Sequence, residues 1–258
     1  MSADPIRHGH YARKQLYCPS GIVAWSHGSR FRLAAKLAIA ARAGGAPGKL
    51  LDFGCGDGTF VAMAHTHFAE TVGADVDAEQ IVECRARLGA LRGVRFVTTA
   101  LLDAAEHAGA YDVVMCMEVL EHCTDQDRAR VLGRLRRLVA AGGRIIISVP
   151  IEVGPALVGK QVFRALAAWR GHGDYHHRET YTPREMIAAA LARPNLARAI
   201  YTVTGRNGAY TYCGHKGFDW RVLEREIRER FSVERRLFSP LPLVGSLLNS
   251  QVWFVCTP

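Results

Sequence analysis

The sequence predicts an α/β protein built on a doubly wound, mainly parallel sheet. Three observations carry this: short apolar runs bounded by turn residues recur between residues 49 and 149, helix-like stretches separate them, and a glycine-rich loop follows the first run. The runs at 49–53, 71–75, 94–98, 111–116 and 144–149 read as buried parallel strands, since a strand covered on both faces is apolar continuously rather than alternately. Residues 59–68, 78–91 and 125–140 read as crossover helices, the last stopped by Gly142-Gly143. Ahead of the first strand, Leu33, Leu37 and Ala41 recur at helical spacing over 31–42, and Pro47-Gly48 ends that segment. Past Pro150 the alternation stops. Residues 151–218 are rich in Gly, Pro, His and aromatic side chains and hold one good helix, 183–192. A helix at 219–230, capped by Asp219 with Glu226 and Arg230 spaced i, i+4, precedes closing strands at 231–238 and 251–256. The expected organisation is one domain over 1–258: an N-terminal helical arm or lid (1–44), a cofactor-binding core (45–150), an insert after the fifth strand (151–218), and a final helix with a closing strand pair (219–258).

Composition narrows the class. A chain that is 49% hydrophobic and 22% charged has enough apolar surface to fold. Its most apolar helical stretch, 33–41, is interrupted by Lys36 and falls far short of the ~20 residues of a membrane span. No apolar secretion signal opens the sequence, and seven scattered cysteines form neither a CxxC pair nor a zinc-ligand spacing, so reduced thiols and a cytoplasmic location are expected. The net charge of +9 admits a nucleic acid or another anionic partner, although an Arg-, Ala- and Gly-heavy composition accounts for it equally.

The loop LLDFGCGDGTF (50–60) carries the most chemistry. Gly54, Gly56 and Gly58, with Cys55 between the first two, let the backbone turn tightly and let a ligand approach it. A dinucleotide fingerprint needs its third glycine at 59, where Thr59 stands, and Asp52 would repel a pyrophosphate. A carboxylate leading into G-x-G-x-G suits a cationic ligand instead, and S-adenosylmethionine carries both an ammonium and a sulfonium. Asp75, at the tip of the second strand, is placed to accept ribose hydroxyls.

With VGADVD (72–77), YDVVMCMEVLEH (111–122) and LVAAGGRIIISVP (138–150), this loop resembles the class I S-adenosylmethionine-dependent methyltransferases, and the EVLEH element resembles that of the ubiquinone-pathway O-methyltransferases. The resemblance implies a Rossmann-like seven-stranded sheet with its last strand antiparallel. It also implies that Asp52, Gly54 and Gly56 hold the methionine moiety and Asp75 the ribose, that Val76 flanks adenine, and that Met117 and Glu118 line the site. Many members carry Gly-Asp after the third strand, its Asp on the adenine amino group. Thr99-Ala100 stands here, so either the backbone near Leu101 or Asp103 takes that contact.

Methyl transfer needs a placed nucleophile, with a base where that nucleophile must lose a proton. Glu118, Glu121 and His122, spaced i, i+3, i+4, would share a helix face, either packing beside the cofactor, supplying His122 as base, or holding a divalent metal as in small-RNA 2′-O-methyltransferases. A metal is possible but not expected. The insert adds His172, His176 and His177 in GHGDYHHRETYTPREM, with His215 a second candidate. The arm adds Tyr11, Trp25 and His27. The catalytic candidates are thus His122, His176, His177 and His27. The apolar loop 240–248 reads as core, a partner surface or a pocket wall. The leading expectation is transfer to a small or lipid-like acceptor at oxygen. A metal-assisted RNA or nucleotide 2′-O-methyltransferase and a non-catalytic S-adenosylmethionine-binding protein are the alternatives.

Overall fold

The computed structural model describes residues 6–42, 47–169, 180–193, 197–205 and 208–258. A π-helical turn, Ala12–Leu16, and helix α1 (Gly21–Ala40) form the arm. The core then alternates β1 (Lys49–Phe53), α2 (Thr59–Ala64), β2 (Glu70–Asp75), α3 (Ala78–Leu88), β3 (Val94–Thr98), β4 (Tyr111–Met117), α4 (Asp125–Leu138) and β5 (Val139–Pro150). The segment that follows holds α5 (Pro155–Trp169), α6 (Pro183–Ala190) and a separate antiparallel pair, β6 (Ile200–Gly205) and β7 (Gly208–Cys213). Helix α7 (Trp220–Arg228), β8 (Ser232–Ser239) and β9 (Gln251–Thr257) close the chain.

The seven-stranded sheet runs β3-β2-β1-β4-β5-β9-β8, with β1 to β5 parallel and β9 antiparallel to both neighbours. This is the expected doubly wound sheet with its last strand reversed. Strand order turns over between β1 and β4, and the loops leaving those strands diverge there, opening a crevice at their carboxyl ends. Both faces are covered. Leu51, Val114, Ile145 and Phe254 pack under the α4 and α7 side with Leu132, Leu135, Leu223 and Ile227. Leu50, Val113, Ile146 and Trp253 pack against Phe31, Ala34, Leu37 and Phe60 of α1 and α2. Two-sided burial explains why these strands read as continuous apolar runs.

Several boundaries differ from expectation. Helix α1 begins at Gly21, nearly three turns earlier than the apolar spacing from 31 shows, because Ser26, Gly28 and Ser29 interrupt its pattern. Gly142-Gly143 does not stop a helix. Helix α4 ends at Leu138, and Val139 already pairs with Tyr111; the register then moves to Arg144 opposite Val113, so residues 140–143 bulge, with Gly142 at φ +76°. Glu226 pairs with Arg128 of α4 rather than Arg230, at 2.6 and 2.7 Å. Helix α5 and the β6–β7 pair were hidden among the Gly and aromatic residues of the insert. Helix α6 matches, fixed by the Thr182–Glu185 capping box. The loop 240–248 lies at the surface, with Leu241, Leu243, Leu247 and Leu248 exposed. Among the described residues, no helix is long and apolar enough to cross a membrane.

Candidate active site

The glycine loop leaves β1 at the crevice. Gly54 adopts φ +84°, and a Cβ there would lie 2.2 Å from Val119 Cγ2, so only glycine fits. The Gly54 and Cys55 amides both donate to the Ala74 carbonyl, which ties the loop to the end of β2. One oxygen of Asp75 accepts from the Gly56 amide at 2.9 Å and the other from the Asp77 amide at 3.0 Å, so backbone amides orient this carboxylate at the end of β2.

Asp52 is fully buried beneath this loop, and its Oδ1 has no hydrogen-bond partner among the described residues. Burial, reinforced by the nearby Asp75 charge, pushes its carboxyl up to about 8. A buried carboxylate without a partner is costly, and an arriving cation removes that cost. The adjoining cavity of about 330 Å³ is lined by Asp52, Gly54, Cys55, Gly56, Met117 and Glu118, together with Tyr11 and Arg30 of the arm. Gly58 packs instead toward Leu88 and Phe96. Val76 and Leu101 lie outside that lining as exposed apolar side chains at the ends of β2 and β3. Asp103 is turned to Arg134 at 2.9 Å and Arg137 at 3.6 Å, so its carboxylate is already engaged by α4.

The arm closes over this cavity through a residue that sequence reasoning missed. Asp57, buried within the glycine loop, accepts from the Tyr11 amide at 2.9 Å and the Ala12 amide at 3.4 Å. The Tyr11 hydroxyl in turn meets His27 Nδ1 at 2.5 Å and receives a hydrogen bond from Arg30. Burial, then the Arg30 charge, depresses His27 to about 3, so this ring is neutral and its Nδ1 accepts a hydrogen bond from the Tyr11 hydroxyl. Arg30 also pairs with Glu118 at 3.2 Å.

The EVLEH residues do not share a helix face. Glu118 follows the end of β4 with φ +56°, and only Leu120–His122 form a short 3₁₀ turn. They nonetheless meet in a second cavity of about 340 Å³, which shares Tyr11, Arg30 and Glu118 with the first. Glu121 is fully buried, neither oxygen has a hydrogen-bond partner among the described residues, and Oε1 lies 3.9 Å from His122 Nε2; burial and then the Glu118 charge raise its carboxyl well above the usual range. His122 Nδ1 lies 3.0 Å from the Cys213 carbonyl. A carbonyl only accepts, so Nδ1 carries the proton and Nε2 keeps its lone pair. His215 stacks edge-on against His122, centroids 4.7 Å apart, and burial is the main cause that lowers it to about 4. His27 lines the same cavity. His172, His176 and His177 lie outside the described residues. Among the described residues no group of three or more His, Cys, Asp or Glu side chains is gathered for a metal ion.

A reversed-order parallel sheet, a carboxylate-led glycine loop and an acid at the β2 tip define an α/β protein built to hold a nucleoside cofactor at its switch point. Comparison with known proteins carries this further. Residues 51–145 match the methyltransferase domain family. The ubiquinone biosynthesis O-methyltransferase of Cronobacter sakazakii is 42% identical over 115 residues, 43% of this chain and 46% of the relative. That of Aeromonas salmonicida is 32% identical over 169 residues, 62% of this chain and 68% of the relative. The chain thus spans about half the length of the first of these curated relatives. The crystal structure of the PH0226 protein from Pyrococcus horikoshii OT3 superposes with a TM-score of 0.60, covering 96% of this chain and 98% of that one, at 15% identity, a likeness of fold. The chain belongs to the class I S-adenosylmethionine-dependent methyltransferases.

Proposed function

We propose that this chain transfers a methyl group from S-adenosylmethionine to a hydroxyl oxygen of a small, polar acceptor. The observation that carries the reading is the adjacency of two cavities, one floored by the unpartnered Asp52 and the other holding His122, joined at Tyr11, Arg30 and Glu118. S-adenosylmethionine, when bound, supplies a methyl group on a cationic sulfur, open to in-line displacement. Asp52 would accept the ammonium of its methionine portion, with Gly54 and Gly56 giving close approach, and Asp75 would accept the ribose hydroxyls. Val76 and Leu101 would lose their exposure against adenine.

On the acceptor side His122 is the base. Its tautomer is set by the Cys213 carbonyl, and Nε2 is the ring atom left to take a hydroxyl proton. Arg30, held by Glu118 and Tyr11, keeps the partition between the cavities rigid and charged. The second cavity is lined mainly by His, Glu, Lys, Arg, Ser and Gln side chains, which supports a small polar acceptor over a lipid-like one. The relatives' printed names, O-methyltransferases, support oxygen as the methylated atom. Arg30 and Ser148 already occupy the Glu118 oxygens, which favours a base over a metal at EVLEH. The test is transfer of radiolabelled methyl into a host metabolite extract and, separately, into total RNA, with and without chelator. Label in the small-molecule fraction, indifferent to chelator, is expected; label confined to RNA, or lost with chelator, overturns the reading.

A further inference from the structure

Arg198, two residues ahead of β6, reaches the turn that carries His122. Its Nη1 donates to the Cys123 carbonyl at 3.3 Å, and its Nη2 donates to the Gly214 carbonyl at 3.1 Å and to the Glu121 carbonyl. Two of these acceptors stand on either side of His122 in the chain. The third, Gly214, follows Cys213, whose carbonyl holds the His122 ring. The bonds therefore close a cycle, from the ring to Cys213, along the chain to Gly214, and through the guanidinium back to the residues before and after the ring. The guanidinium lies over the buried Phe218, its Cζ 5.3 Å from the ring centroid.

Closing the β6–β7 pair does not require this side chain. Backbone already does so, since Ile200 pairs with Cys213 and the Gly214 amide donates to the Ala199 carbonyl at 2.9 Å. What Arg198 adds is the reach across to the turn. Among the described residues its side-chain hydrogen bonds all go to main-chain carbonyls, and its buried Nε has no partner. Partly burying a guanidinium against neutral carbonyls alone is costly, yet donors fixed in one plane suit three carbonyls from two separate segments. The turn needs such a tie. Its own bonds, His122 N–H to the Val119 carbonyl at 3.0 Å and Cys123 N–H to the Leu120 carbonyl at 3.3 Å, set its shape but not its place. If the turn rotated, Nδ1 would leave the Cys213 carbonyl, and the imidazole could put its proton on Nε2, the atom that has to be open.

We infer that Arg198 is a positioning residue, which locks the turn around His122 to Cys213 and Gly214 and so keeps the ring proton on Nδ1 and Nε2 open. This rests on the reading of His122 as the base, but its first readout needs no acceptor. Long-range proton–nitrogen correlation NMR, on the full chain labelled in its histidine rings and saturated with S-adenosylhomocysteine, gives the His122 tautomer. His65, whose Nδ1 faces the Ala62 carbonyl at 2.9 Å, serves as internal reference. Wild type is expected in the Nδ1–H form. Arg198→Met, which keeps the stem and removes the donors, is expected to move His122 predominantly to Nε2–H; Arg198→Gln, a milder change read if the first variant does not fold, is expected to move it the same way. His65 and S-adenosylhomocysteine affinity are expected to stay as in wild type, a pattern that a purely structural role would not produce. Methyl transfer into the small-molecule fraction of a metabolite extract should fall about tenfold or more, with KM for S-adenosylmethionine unchanged. A wild-type tautomer retained in the folded variants, or a wild-type His122 protonated at Nε2, overturns the inference. A shifted tautomer with an unimpaired transfer rate upholds Arg198 as the residue that positions the ring and overturns His122 as the base. Absence of transfer by wild type overturns the reading beneath and leaves the tautomer result standing.

Discussion

The state of Asp52 yields a prediction whose size follows from its surroundings. Its carboxyl is raised from 3.8 to about 8 because it is fully buried and faces the charge of Asp75. The folded, unliganded protein therefore holds this proton more tightly than the unfolded chain does between about pH 4 and pH 8. The group contributes nothing unfavourable below the unfolded value, and stability is lost as pH rises through that window, by on the order of 1 kcal/mol per pH unit. An ammonium docked on Asp52 reverses the preference and expels the proton. With the carboxyl at about 8, roughly nine tenths of the molecules are protonated at pH 7, so binding one S-adenosylhomocysteine should release about 0.9 proton. Calorimetry in buffers of different ionisation enthalpy reads this number directly. Asp52→Asn should abolish the release, weaken binding at least tenfold, and raise the melting temperature of the unliganded protein at pH 8, since the unfavourable ionisation is gone. A wild-type protein that binds the ligand with no proton release, or an Asn variant that binds equally well, refutes the assignment of Asp52 as the cation-binding carboxylate.

Three further outcomes follow from the geometry. His122→Asn keeps a donor for the Cys213 carbonyl but removes the proton acceptor, so kcat should fall about 100-fold with S-adenosylhomocysteine affinity unchanged in titration. Gly54→Ala places a Cβ on Val119 in left-handed backbone and should cost about 2 kcal/mol or more in denaturant unfolding, with loss of cofactor binding. Asp57→Ala removes the acceptor for two arm amides and should speed S-adenosylhomocysteine dissociation about tenfold in stopped flow, because Tyr11 no longer closes the cavity.

What the sequence made legible, and what it hid, divides along a physical line. The cofactor half is contiguous: Asp52 to Gly58 lie in one strand–loop–helix unit, where local steric need and charge leave a readable pattern, and Asp75 ends the next strand. Even there Asp57 escaped notice, because its partners are arm amides 45 and 46 residues away and backbone donors have no signature. EVLEH was legible as composition and misread as geometry. Its i, i+3, i+4 spacing invites a helix, yet β4 runs on to Met117 and Glu118 takes a positive φ, stabilised by Arg30 and Ser148.

The second cavity, proposed above as the acceptor side, shows the same limit in stronger form. Tyr11, Arg30, His122, Glu152, Lys160 and His215 come from the arm, the β4 end, the β5 end, α5 and the segment before α7, and no window of sequence contains two of the pairings that matter. Arg30 illustrates the point. In the chain it is one basic residue among Arg30, Arg32 and Lys36 of α1, and only the packing of α1 against the Ala12–Leu16 turn and the sheet brings it to Tyr11 and Glu118. Cofactor recognition in this fold is thus written locally and survives in motifs, whereas acceptor recognition is assembled by tertiary packing. It follows that relatives sharing the glycine loop can differ in acceptor through changes at α5 and the arm alone, with the core sheet untouched.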